Sequence, residues 1–99
     1  MVYSLEHAAD SIFWIDKQAR IIFANTTAAE KLGYSKEELL HLHVHDVDPN
    51  FPQERWSAHW EEIRAIQKTT IESFHTCKSG KLFPVEIVIN YTEIEGKEY

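Results

Sequence analysis

An α+β domain, with helices grouped over one face of an antiparallel sheet, is the fold class this sequence predicts, and three observations carry it. Residues 12–15 (Ile-Phe-Trp-Ile) and 20–24 (Arg-Ile-Ile-Phe-Ala) are β-branched and aromatic runs joined by Asp16-Lys17-Gln18-Ala19, which reads as a hairpin with a four-residue connection. A second strand pair, residues 69–78 and 81–93, surrounds a turn at Ser79-Gly80, with Val85, Ile87, Ile89 and Tyr91 alternating against Glu86, Val88 and Asn90. Between the pairs, Trp56, Trp60, Ile63 and Gln67 share one face of a helix that starts at Pro52 and runs to about Ile66.

In chain order, residues 3–10 carry Leu5, Ala8 and Ala9 at helical spacing and predict a short amphipathic lead-in helix. The first hairpin is apolar on both faces, with Ile12 and Trp14 pointing one way and Phe13 and Ile15 the other. One face must cover a core, and the other calls for the lead-in helix or a second copy of the domain. Asn25 stands at the N-cap of a helix over residues 26–32, and Gly33 ends it in the left-handed region. Ser35 and Glu38 form a capping box for a turn over residues 36–40, with Leu39 and Leu40 inward. Residues 41–51 mix apolar residues with Asp-Pro and Asn, without a sustained period, and read as a linking loop with one turn of helix. The two tryptophans of the long helix, able to bury about 150–250 Å² each, make it the lid of the core. At the far end, residues 83–99 (FPVEIVINYTEIEGKEY) run through an alternating strand into a Glu-Gly turn. Residues 97–99 are too few for a return strand of about five or six residues, so the sequence reads as a piece of a longer protein with its last strand missing.

Composition sets ordinary bounds. With 99 residues and 43% hydrophobic content, the chain holds one domain and one core. Its net charge of −6, with Lys and Arg scattered, lacks the footprint of a nucleic-acid binder. No apolar run approaches the roughly 20 residues of a bilayer span. A single cysteine, Cys77, makes no internal disulfide, which agrees with a reducing compartment and a cytoplasmic location.

SIFWIDKQARIIFANTTAAEKLGYSKEEL resembles the opening of a PAS domain, with the acidic residue after the first strand, the Asn before the first helix and the Leu-Gly-Tyr-Ser step. HVHDVDPNFPQERWSAHWEEI and HTCKSGKLFPVEIVINYTEIEGKEY resemble the middle and C-terminal parts of one PAS/PAC subgroup, so the likeness spans about Leu5 to Tyr99. It implies one domain over residues 1–99, a lead-in helix at 1–10 and a PAS core at 11–99. In that family the last strand lies mid-sheet beside the first, and its absence would leave two strand pairs facing each other across a slot. The slot would be partly filled by the terminal stub, filled by another chain, or closed by distortion.

The resemblance also implies a non-catalytic sensory or interaction module of a bacterial signalling protein such as a two-component histidine kinase or a diguanylate cyclase. Such a module relays a small-molecule or redox signal to a downstream effector by rearranging a homodimer. The alternative is a ligand-free structural dimerisation module. The pocket would lie between sheet and long helix, lined by Trp14, Ile22, Leu32, Trp56, Trp60, Ile63, Ser73, His75, Ile87 and Ile89, and the dimer interface would use Leu5, Phe13 and Ile15. Whether Ser73 and His75 or Phe74 look inward decides whether a polar-lined cavity or a filled core results. No ligand is specified. The flavin photosensor subtype is excluded because residues 25–32 hold no cysteine, and His59, flanking the inward face of the long helix, is badly placed as a haem ligand. His41, His43 and His45 with Asp46 and Asp48 have a superficially metal-like spacing, but loop structure is the stronger reading and no metal is assigned. Asp46 or Asp48 is expected to cap donors near the start of the long helix. Glu37-Glu38 and Glu61-Glu62 lie on solvated helical faces and form no catalytic pair, and the three glycines make no phosphate loop.

Overall fold

The structure, a computed structural model, describes residues 5–99; residues 1–4, where the expected lead-in helix begins, lie outside it. From Leu5 the lead-in is a single 3₁₀ turn, Leu5–His7, rather than a helix reaching Asp10. The cause is Asn25, whose Nδ2 donates to the carbonyls of Leu5 and Asp10, both at 2.9 Å, and so holds the segment as an arch.

The first hairpin pairs β1 (Phe13–Ile15) with β2 (Ile21–Ala24). Asp16 shapes the connection: its Oδ1 accepts from the N–H groups of Gln18 and Arg20, and its Oδ2 from Arg20 Nε at 2.7 Å. Helix α1 (Thr26–Leu32) carries the expected caps, with Asn25 accepting from the Ala28 N–H and Gly33 at φ 78°. An alanine methyl at Gly33 would meet nothing nearer than Lys78 Cβ at 3.9 Å. Gly33→Ala is therefore expected to cost about 1–2 kcal/mol through backbone conformation alone, measured by thermal denaturation.

The short α2 (Lys36–Leu39) shows the reciprocal Ser35–Glu38 capping box. Only Leu39 is buried there; Leu40, expected inward, is 49% exposed because the helix stops before it. The linking segment folds one turn, α3 (Val44–Val47). It is fastened to the free edge of β2 by Ile21 N–H to Leu42 O and Val44 N–H to Ala19 O. The long helix α4 (Gln53–Ile66) starts one residue after Pro52, which takes the N-cap. Trp60 and Ile63 are its buried residues.

The second hairpin pairs β3 (Lys68–Thr76) with β4 (Leu82–Asn90) in unbroken register, Ser73 opposite Val85 and His75 opposite Phe83. Ser73 is buried and Phe74 is 45% exposed, so the Ser73–His75 face looks inward. The terminal residues do pair: β5 (Glu93–Ile94) and β6 (Lys97–Glu98) form a ladder, extended by reciprocal Thr92–Tyr99 backbone bonds. Glu95 and Gly96, at φ 51° and 80°, supply the two left-handed positions of a tight hairpin turn, which makes so short a return strand possible. The described strands thus form three two-stranded ladders, and the two longer hairpins share no ladder. Tyr99 ends against Trp14, ring centroids 5.5 Å apart.

The main core lies under α1 and α2. Ile21, Ala24, Ala28, Ala29, Leu32, Leu39 and Val47 are buried together, with Phe13, Ile15, Tyr34, Leu42 and Phe83 packed against them. This reverses the expected faces of the first hairpin. Cross-strand partners share a face, so burying Ile21 and Ala24 commits their partners Ile15 and Phe13 inward. Ile22 is 41% exposed, and Trp14 takes the opposite side with Tyr99. Among the described residues, no helix is long and apolar enough to cross a membrane.

Candidate functional site

The feature that burial energetics single out is a carboxylate in the interior. Asp48, the C-cap residue of α3, is 2% exposed. Its Oδ1 accepts from the Asn50 N–H at 2.9 Å, and Ser73 Oγ lies 2.8 and 2.9 Å from its two oxygens. Asn50 Nδ2 completes the set by donating to Ser73 Oγ at 3.0 Å. His75 Nε2 is 3.5 Å from Asp48 Oδ2, an ion pair whenever the imidazole is protonated. Burial by itself raises the Asp48 carboxyl, but hydrogen bonding from His75, Ser73 and the Asn50 N–H outweighs it and holds Asp48 below the ordinary carboxylate value.

His75 is also the link between the hairpins. Its ring stands edge-on to Phe13 of β1 at 6.4 Å and to Phe83 of β4 at 6.1 Å. The cluster therefore joins α3, β1, β3 and β4 through side chains where the backbone ladders do not meet. A trough of about 510 Å³ opens beside it, bordered by Asn50, Ser73, Phe74 and Pro84.

The lid helix contributes unequally. Trp60 is 6% exposed, 6.1 Å from Trp56 and 6.2 Å from Tyr91, and its buried Nε1 has no hydrogen-bond partner among the described residues. Trp56 is half-buried and donates from Nε1 to Lys17 O at 2.9 Å, pinning the helix to the first hairpin connection. His59 packs against Phe51 and Trp56, at 4.2 and 5.3 Å, and burial lowers its pKa, keeping the imidazole neutral at pH 7. Trp60→Ala is expected to cost about 3–5 kcal/mol. Trp60→Phe, which removes the unpaired donor along with part of the ring, should cost clearly less than Trp60→Ala in urea unfolding.

Of the residues expected to line a pocket, Ser73 and His75 form the cluster, and Trp60 and Ile63 are buried on the lid helix. Ile87 and Ile89 are half-buried on the inward face of β4. Leu32 belongs to the separate core under α1, and Trp14 and Ile22 face away from it. For the expected interface, Leu5 is 51% exposed, whereas Phe13 and Ile15 are partly buried and pack against the core. Sequence reasoning passed over Asp48 as a ligand of Ser73, along with Asn50 and Phe83. Asp48 accepts from the Asn50 N–H, three residues before α4 begins, as expected of a cap near the start of the long helix, while Asp46 accepts from the His43 N–H. An aspartate inside the apolar Val-Asp-Pro step was the available signal, but its partner Ser73 lies 25 residues away.

Paired antiparallel hairpins, a lid helix and an interior polar cluster make up an α+β fold. A family model described as PAS domain matches residues 9–99. The chain belongs to the PAS domain family and is a sensory domain. The methyl sulfide methyltransferase-associated sensor of Methanosarcina acetivorans is 29% identical over 77 residues, covering 75% of this chain and 7% of that protein. The chain thus spans a small fraction of that relative. A PAS domain from a two-component sensor histidine kinase superposes with a TM-score of 0.83 at 25% identity, covering 95% of this chain and 81% of that one. A PAS domain from Desulfitobacterium hafniense gives 0.83 at 26% identity, covering 95% and 89%.

Proposed function

We propose that this domain regulates a larger signalling protein by transmitting the state of its interior polar cluster to its lead-in segment and, through that segment, to a second copy of itself. The observation that carries the reading is His75, which touches the buried Asp48 on one side and Phe13 of β1 on another. β1 runs back to Ile12, whose N–H donates to Asn25 Oδ1, and Asn25 holds the carbonyls of Leu5 and Asp10. A small molecule in the trough beside Asn50 and Ser73 that competes for the Asp48 hydrogen bonds would shift His75 and so bias how the lead-in is held. Exposed Leu5, Ile22, Phe74 and Val88 supply apolar area for the second copy. The name of the Methanosarcina relative, a sensor, and the kinase origin of the similar solved domain support a sensory role within a signalling chain.

A second reading, a ligand-free interaction module, is favoured by the aromatic side chains in the interior, where Phe51 and Trp60 are buried and Phe13 and Phe83 pack against the core. Thermal melting against a panel of small organic acids and bases, with sedimentation of the free and ligated protein, separates the two. The sensory reading expects a compound that raises the melting temperature and alters the monomer–dimer balance, with both effects lost in Ser73→Ala. A dimer that no compound perturbs would leave the interaction module standing.

A further inference from the structure

We propose that the start of α3 is a binding site for a borderline divalent transition ion of the zinc class, held by His43, His45 and Asp46. One ring nitrogen from each histidine and one carboxylate oxygen of Asp46 lie within 4.8 Å of one another. The backbone explains the convergence. His43 is extended, at φ −111° and ψ 164°, whereas His45 is already in the helical turn, so the change of period brings the rings onto one side, stacked at 4.9 Å and 20°.

Ligand atoms in a tetrahedral zinc shell sit about 3.4 Å apart, given metal–ligand bonds of about 2.0–2.2 Å. Rotation of the His43 and Asp46 side chains, both partly open to solvent, would close the remaining difference. The segment is already anchored: Leu42 O accepts from Ile21 N–H at 3.1 Å and Val44 N–H donates to Ala19 O at 2.8 Å, on either side of His43. The Asp46 carboxylate is likewise held, since its Oδ2 accepts the His43 N–H at 2.8 Å, which leaves Oδ1 for a metal. A preorganised backbone lowers the ordering cost of binding.

A second observation points to the same place. Among the described residues His45 Nδ1 is buried and has no hydrogen-bond partner, an arrangement that costs roughly 1–3 kcal/mol for a buried polar atom and that coordination by this nitrogen would relieve. The His43 and Asp46 side chains are 40% and 39% exposed, so an ion reaches the site from solvent and water completes its coordination. Two imidazoles with one carboxylate select zinc, cobalt, nickel or copper over magnesium and calcium, which prefer all-oxygen shells. The ion would also tighten the turn that ends in Asp48, whose N–H donates to Val44 O at 2.8 Å, and so adds an input to the interior cluster from outside.

Titration calorimetry of the chain with Zn²⁺ alone, together with visible absorption of Co²⁺-loaded protein, tests the assignment. The expected result is one ion per chain, undisturbed by excess Mg²⁺. His45→Ala and His43→Gln should each weaken binding by about tenfold or more. Asp46→Asn, which keeps an oxygen for the His43 N–H, should weaken it while leaving the circular dichroism unchanged. His41→Ala, outside the cluster, should bind like the wild type. Absence of saturable binding below about 1 mM, or undiminished binding in folded His43→Gln and His45→Ala proteins, would overturn the proposal.

Discussion

Asn25→Ala is expected to lower the stability of the domain by on the order of 3–4 kcal/mol, the largest loss among single polar substitutions in this fold. Asn25 is 0% exposed and every polar atom of its side chain is in use. Oδ1 accepts from Ile12 and Ala28 N–H at 3.0 and 2.9 Å, and Nδ2 donates to the Leu5 and Asp10 carbonyls. Alanine removes the α1 cap and leaves the Ala28 N–H, at the buried end of the helix, without an acceptor. Against a total of about 5–15 kcal/mol for a domain of this size, the loss is a large fraction. The melting temperature should fall by about 15 °C or more. Asn25→Ser, which restores a cap for Ala28 but cannot reach the arch, should recover about 1 kcal/mol. Equal damage from both substitutions would show that the lead-in attachment alone matters.

Asp48→Asn is expected to flatten the acid limb of the stability profile and to cost about 1.5–3 kcal/mol at neutral pH, where a charged acceptor is replaced by a neutral one. The Asp48 pKa is lower in the folded protein than its ordinary value of 3.8. A depressed carboxyl contributes stability that is complete above the unfolded value and is lost as pH falls through the folded one. The wild type should therefore lose more stability than Asp48→Asn as the pH drops from about 5 to below the folded Asp48 value. Glu38 and Glu98 are also lowered in the fold but lie outside the cluster, so the difference between the curves reports Asp48 together with its contact to His75. Chemical denaturation at stepped pH gives that difference directly. Parallel acid limbs would mean that the carboxylate gains nothing from Ser73, Asn50 and His75.

Local rules made most of the fold legible in the sequence. Asn25, Gly33 and the Ser35–Glu38 box act within a few residues, so their chemistry alone marked α1 and α2. Strict alternation placed β3 and β4 and left only their facing undecided, a choice the burial of Ser73 settles. The first hairpin was misread because its strands are apolar on both sides, and its facing depends on what α1 and α2 bury with Ile21 and Ala24. The turn at Glu95-Gly96 was legible and its return strand is as short as the residue count implies, but the two left-handed positions still allow a ladder of two residues a side. Asp48 escaped for a further reason: a polar contact across 25 residues leaves no periodic trace in either partner.

Coupling between the hairpins through His75 is the claim on which the sensory reading rests. Native-state amide hydrogen exchange tests it, following the Ile12 and Asn25 amides, which bond to Asn25 Oδ1 and Ile12 O. Exchange in His75→Ala is compared with Gly33→Ala under conditions where both have the same global stability. The account predicts faster exchange at Ile12 and Asn25 in His75→Ala than in Gly33→Ala. Identical rates at those two amides would contradict it, leaving the interior cluster a local packing feature with no hold on the lead-in.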